Sequence, residues 1–447
     1  MKYASTRNPE IQVTFKEAVF RGLAPDGGLY HPVSVPDLRG LIESFSGSHS
    51  IAGIGAKLTA AFFGPEISEE AAEGICRRAF TFEPALVSLP GAGNIGILEL
   101  FHGPSCAFKD FGASFLAAVM EEFLKQEASR AVILTATSGD TGSAVARAFH
   151  KRANINVVIL YPSGRVSPLQ EKQLTTLGDN ISALEVKGSF DDCQRMVKEA
   201  FLDRDLNERL RLTSANSINL GRLIPQAFYY VYGWTRLSAA DRKAGPVFCV
   251  PSGNFGNLTA GVLAWQWGLP ARRFIAATNI NKVVPEYLTG GAYSPRPSVQ
   301  TLSNAMDVGD PSNFERLQAI FEKSRDKMSK LIEGVFITDR ETRDTMHSVY
   351  AETGMFLDPH TALGVCAAKR YMASRQAKAA GLDGAPCISL STAHPGKFIE
   401  VVEEATGKKP PLPQSLARVL DLRKESTVVE STGAELKKFL YEKFADQ

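Results

Sequence analysis

The chain has 447 residues, 44% of them hydrophobic and 22% charged, with a formal net charge of +2. That length suits roughly two to four domains, with core enough to need no disulfide or metal staple, and the ordinary composition excludes wholesale disorder. Fifty Lys and Arg against 48 Asp and Glu leave no basic footprint of a nucleic-acid binder.

The opening Met1-Lys2-Tyr3-Ala4-Ser5-Thr6-Arg7 lacks the apolar core of a secretory signal. Acidic Glu10, Glu17 and Asp26 argue against a transit peptide, and no apolar run reaches the length of a membrane span. A cytoplasmic protein without membrane contact is expected. The six cysteines (Cys76, Cys106, Cys193, Cys249, Cys366 and Cys387) form no C-x-x-C pair and are read as reduced thiols.

The first hundred residues read as short helices and loops. A helix is predicted over 15–21, ended by the turn signal Pro25-Asp26-Gly27-Gly28, and another over 68–80, with Glu69 and Glu70 in its first turn. Next, Gly91-Ala92-Gly93-Asn94-Ile95-Gly96 matches G-x-G-x-x-G. Residues 97–101 after it read as a strand, so it lacks the helix that a dinucleotide fingerprint requires and is taken as a turn. Strands are predicted over 131–137, 157–161 and 181–186, alternating with helices over 143–152, 168–177 and 191–201. Later strands are expected at 247–250, 274–278 and 387–390, and a helix at 361–374. Continuous apolar strands separated by helices indicate parallel sheets covered on both faces. The Pro410-Pro411-Leu412-Pro413 stretch reads as a rigid extension leading to a terminal helix near 434–443.

Three segments carry candidate chemistry. Lys109, flanked by Phe108 and Phe111 at the head of a helix, has the setting that lowers an ammonium pKa and suits an amine nucleophile; the alternative is a surface lysine paired with Asp110. Thr137-Ser138-Gly139-Asp140-Thr141-Gly142 lies between a strand and a helix. It reads either as a ligand loop, with Asp140 beside a cationic or proton-sharing group, or as a helix cap formed by Asp140. Ser252-Gly253-Asn254-Phe255-Gly256-Asn257 reads as a phosphate nest built from consecutive N–H groups, or as a plain helix-start turn. No Walker lysine and no metal-ligand spacing occurs among the seven histidines. A nucleophilic lysine together with a static phosphate cup suggests pyridoxal 5'-phosphate, with Thr392 as the partner of its ring nitrogen. A hydroxyl there, unlike a carboxylate, would not hold that nitrogen fully protonated.

These segments, with Tyr3-Ala4-Ser5-Thr6-Arg7 and Gly22-Leu23-Ala24-Pro25-Asp26-Gly27-Gly28-Leu29-Tyr30, resemble the threonine synthases of the long form, in order and nearly end to end. The resemblance implies a tryptophan-synthase-β-like fold (fold type II): an α/β protein with a mainly helical N-terminal module at 1–95, a first α/β domain at 96–240 and a second at 241–447. It implies conversion of O-phospho-L-homoserine and water to L-threonine and phosphate by γ-elimination and β-addition of water. It assigns Lys109 as the catalytic, cofactor-bonded lysine. Asp140, Ser252, Gly253, Asn254, Phe255, Gly256, Asn257 and Thr392 become cofactor contacts, and Ser138, Thr141, Asn216, Ser217 and Arg222 substrate contacts. Two departures stand out: Ser105-Cys106 where Thr-Leu is usual, and Gly396 where Ala is usual. A phospholyase releasing a keto acid, ammonia and phosphate would share Lys109 and both loops. A dehydratase relative would not need Arg222. A binding protein without turnover would not need Lys109. A monomer or weak homodimer is expected.

Overall fold

The structure is a computed structural model that describes residues 1–127, 129–137 and 139–444. Among the described residues the strands form three sheets. In the smallest, β1 (Tyr3–Ser5), β2 (Gln12–Val13) and β3 (Tyr30–Pro32) pair antiparallel in the order β2-β1-β3. The sequence reading took this region for helices and loops; two or three residues are too few for an alternating pattern to register. Helices Phe15–Arg21 and Ile51–Phe63 pack on it through the Tyr3–Phe15 and Tyr3–Phe62 ring contacts, and Glu69–Ala79 packs on Ile51–Phe63. Thr14 and Glu17 form a capping box, and the Ser50 and Ser68 hydroxyls accept the N–H groups of Gly53 and Ala71.

The five-stranded sheet is wholly parallel. It holds β6 (Ala131–Ala136), β7 (Ile155–Pro162), β8 (Ile181–Lys187) and β9 (Leu212–Ser214), joined by β14 (Thr427–Glu430), in the order β14-β8-β7-β6-β9. All six residues of β6 are buried, as expected of a strand covered on both faces. The six-stranded sheet has the order β12-β11-β10-β13-β5-β4. Its members are β4 (Ala85–Ser88), β5 (Ile95–Glu99), β10 (Val247–Pro251), β11 (Arg273–Thr278), β12 (Ile332–Phe336) and β13 (Cys387–Ser391). Only the edge pair β4–β5 is antiparallel.

Chain order and sheet membership differ at both ends. Residues 85–99 join the sheet of the second half, and the tail returns to the first. The stretch after Pro413 is not an outward extension: β14 pairs with β8, placing Val428 opposite Glu185, and the terminal helix Gly433–Phe444 buries Leu436 and Leu440 against helix Phe190–Leu202. The main core joins the N-terminal helices to both large sheets through Phe62, Phe228 and Trp267. All six cysteines are free thiols. Among the described residues no helix is long and apolar enough to cross a membrane.

Two consequences position the site. Strands β6 and β9 deliver the 137–142 loop and the 215–222 segment from their carboxyl ends, while β10 and β13 deliver the 252–257 loop and Thr392 from theirs. The carboxyl edge of a parallel sheet is where α/β folds bind ligands, and here two such edges converge.

Candidate active site

Lys109 is the first residue of helix Lys109–Glu127. The strand-like turn before it is pinned to the Thr392 segment by a bridge between Ala107 and Ala393 and by the Phe108 N–H on the Thr392 carbonyl at 2.9 Å. The Lys109 side chain is 18% exposed, and its Nζ lies 5.3 Å from the centre of the Phe108 ring. It does not pair with Asp110, whose Oδ2 accepts the Ser105 N–H at 2.9 Å. Burial lowers the Lys109 pKa, Asp140 opposes that, and the positive charges of Lys397 and Arg222 lower it further. A lysine biased toward its neutral amine is the form that attacks a carbonyl.

Asp140 explains the awkward acid of the 137–142 loop. It does not cap the helix Asp140–Phe149: the N-cap is Gly139, without a side-chain bond, and Asp140 follows it. Its Oδ1 lies 2.7 Å from Lys397 Nζ and accepts Gln170 Nε2 at 3.0 Å, while Oδ2 stands 3.6 Å from Lys109 Nζ. Burial alone would push this carboxyl up; Lys397, Lys109 and Gln170 outweigh it and hold the group well below the usual carboxylate range. Asp140 is therefore ionised. Thr137 Oγ1 braces the loop by accepting the N–H groups of Gly139 and Gly142 at 3.1 and 2.8 Å. Thr141 lies in the first turn of the helix, half-buried. Ser138 lies outside the described residues.

The 252–257 loop opens helix Gly256–Gln266, whose first N–H groups have no intrahelical carbonyl to bond. Ser252 uses its N–H on the Ala277 carbonyl and its hydroxyl on the Val250 carbonyl, both at 2.8 Å, so the candidate nest starts at Gly253. A β-carbon at Gly253 would lie 2.7 Å from Met306 Cα, a close approach that only glycine permits. Phe255 takes a left-handed backbone, φ 60°. Asn254 and Asn257 act as braces. Asn254 Nδ2 donates to Ser217 Oγ at 2.8 Å and its Oδ1 accepts the Ser312 N–H; Asn257 Oδ1 accepts the hydroxyls of Tyr229 and Tyr230. The Asn254–Ser217 bond ties the loop to the 215–222 segment across the two sheets.

In that segment Arg222 is 3% exposed. One Nη donates to the Ala215 carbonyl at 2.6 Å; among the described residues Nε has no partner and no carboxylate forms an ion pair with the guanidinium. Burial lowers its pKa to about 10 against the pull of Asp110. The neighbouring Asn216 Oδ1 is likewise buried without a partner among the described residues. A buried cation without a counter-ion is costly, and an anionic ligand would satisfy it. The donor set fits pyridoxal phosphate and a phosphorylated amino acid: a neutral amine, a backbone nest, a carboxylate and hydroxyl for the ring, and a separate guanidinium.

Three site residues escaped the sequence reading. Lys397 closes the short turn Pro395–Lys397 that follows the Thr392 segment, and its place in that segment was the available signal. Gln170 had none. Arg316, 1% exposed, sends Nε to the Tyr30 carbonyl at 2.9 Å and an Nη to Asn313 Oδ1 at 2.6 Å, and it reaches the Ser217 and Ile218 carbonyls. Burial lowers its pKa to about 9.

A family model described as pyridoxal-phosphate dependent enzyme matches residues 86–384; models described as threonine synthase N terminus and threonine synthase C-terminal match 2–80 and 361–440. A threonine synthase of Serratia marcescens is 41% identical over 440 residues, covering 98% of this chain and 99% of that protein. The crystal structure of pyridoxal-phosphate-bound threonine synthase from Brucella melitensis is 37% identical, with TM-score 0.89 and 99% of each chain covered. That of threonine synthase from Escherichia coli is 40% identical, with TM-score 0.88, covering 99% of this chain and all of that one.

Proposed function

The chain belongs to the threonine synthase family of pyridoxal-phosphate-dependent enzymes, and we propose that Lys109, Asp140, Arg222 and the 252–257 loop carry its reaction. The protein is a lyase that converts O-phospho-L-homoserine and water to L-threonine and phosphate. The observation that carries the residue assignment is the pairing of a half-buried amine biased toward neutrality with a separate buried guanidinium that has no carboxylate partner among the described residues.

Lys109 would bond the cofactor; the N–H groups of Gly253, Asn254, Phe255, Gly256 and Asn257 would hold its phosphate, with Ser252 fixing the start of that loop. Asp140 would meet the ring hydroxyl and Thr392 the ring nitrogen. When bound, the cofactor supplies an electron sink for charge that develops on the substrate carbons. Lys109 would also serve as the base for the substrate Cα proton, because its surroundings favour the neutral amine. Arg222, with Asn216 and Ser217, grips the substrate phosphate and carboxylate, for which a guanidinium fork is well shaped. Ser138 and Thr141 would contact the substrate. We also place the enzyme in the cytoplasm, as a monomer or weak homodimer, which sedimentation of the purified protein checks.

The deciding experiment incubates the protein with pyridoxal phosphate, reduces it with borohydride and maps the labelled lysine, then assays threonine formation from O-phospho-L-homoserine. Label on Lys109, with threonine formation lost in Lys109→Ala, is expected. Label elsewhere, or a keto acid in place of threonine, overturns the reading.

A further inference from the structure

Two lysines share one buried carboxylate. Lys397 approaches Asp140 Oδ1 at 2.7 Å, whereas Lys109 faces Oδ2 at 3.6 Å. A charge-assisted N–H···O bond measures about 2.7–2.9 Å, so Lys397 holds the strong bond and Lys109 does not. The Lys397 side chain is fully buried. Besides Asp140 it donates to the Ser105 carbonyl at 2.8 Å, which also takes Gln173 Nε2 at 3.2 Å. Lys397 is thus anchored at both ends of one short path, from the Asp140 loop to the turn that leads into Lys109. It also follows Thr392 in the segment after β13, so one piece of backbone carries both groups.

A buried carboxylate must be neutralised locally. With Lys109 as the sole cation beside Asp140, the pair would lock a proton on Lys109, and its amine could not attack. We propose that Lys397 is a positioning residue, the standing counter-ion of Asp140 that leaves the Lys109 amine free for the cofactor. The inference rests on the reading of Lys109 and Asp140 as cofactor contacts. The other charged and titratable groups acting on the pair come from several elements. Arg222 bears on Lys109, while Asp110, Cys106 and His394 lie within reach of the Lys397 charge. The direct ion pair of Lys397 is with Asp140.

The test follows the pH midpoint for uptake of pyridoxal phosphate by the full-length, cofactor-free protein, read as the rate at which visible absorbance appears, because only there does the Lys109 amine titrate. In Lys397→Met, Asp140 turns its charge on Lys109, and the proton there is kept to higher pH. The midpoint is expected to rise by about one pH unit or more, and Lys397→Arg to restore most of it. In an Asp140→Asn background the Lys397→Met change is expected to move the midpoint little, since the two residues act as a coupled pair. This comparison, in which no orphaned carboxylate remains, decides the matter if Lys397→Met alone does not fold. An unchanged midpoint in Lys397→Met, or an equal shift with and without Asp140, overturns the proposal. Borohydride labelling separates the two levels of failure: label on Lys109 with no midpoint shift refutes Lys397 alone, whereas label on another lysine refutes the assignment of Lys109 itself.

Discussion

Gly112 lies against the backbone of Arg222: a β-carbon at Gly112 would stand 2.5 Å from the Arg222 carbonyl oxygen. The first turn of the Lys109 helix is thereby seated on the segment that carries the proposed phosphate-binding arginine. The separation of nucleophile and guanidinium is set by bare backbone contact, without side chains between.

Gly112→Ala should therefore push the two apart. Overpacking of this kind costs about 1–3 kcal/mol, which thermal unfolding reads as a lowered Tm. A fall in kcat/KM at temperatures where the variant is fully folded is the second expected sign.

Arg222 and Arg316 are both buried guanidiniums, yet they should respond oppositely to Met. Arg222 has one protein acceptor and no carboxylate, so Arg222→Met removes an uncompensated charge. Stability of the cofactor-free protein should hold or rise by about 1 kcal/mol, while kcat/KM for O-phospho-L-homoserine falls at least about 100-fold. Unchanged turnover would remove Arg222 from the site.

Arg316→Met should lower Tm sharply instead. It leaves the Tyr30 carbonyl and Asn313 Oδ1 without their guanidinium donor, at about 1–3 kcal/mol for each buried group left unpaired. It also frees β3 from the 217–218 turn, so KM should rise in whatever folded protein remains.

His394 gives a pH signature. Its Nδ1 accepts the Gly396 N–H at 3.0 Å, capping the turn that carries Lys397. Burial pushes its pKa down to about 4, with Asp358 opposing and His102 adding to the shift. The unfolded chain binds this proton more readily than the folded one. The contribution is therefore fully present above about pH 6.5 and lost as pH falls toward 4. His394→Asn keeps a cap acceptor and has nothing to titrate. The variant's Tm should fall less than the wild type's across that window; parallel curves would refute the account.

The tail should behave as part of the first large sheet. Leu440, fully buried beneath it, should cost about 2–5 kcal/mol when replaced by Ala, with the labelling of Lys109 unchanged below the transition.

Much of this was legible in the chain itself. Apolar runs such as 131–136 and 247–250 announced parallel strands, because a strand buried on both faces has no polar alternate. Ser68 with Glu69 and Glu70 announced a helix start. Lys109, the two loops and Thr392 stood out as candidates because an unusual glycine pattern and a charge among apolar neighbours leave local marks. The β1–β3 sheet was not, its strands being shorter than any period.

What the sequence by itself determined is therefore local: which segments become strand or helix, and which are candidates for reactive or phosphate-binding groups. Tertiary structure alone decided the partners. It brought β14 back to β8, set Lys397 on Asp140 across 257 residues of chain, and left Arg222 without a carboxylate. The physical reason is that a charge's state depends on what surrounds it in space. Asp140 read as awkward in its own loop because its counter-ion arrives from another sheet.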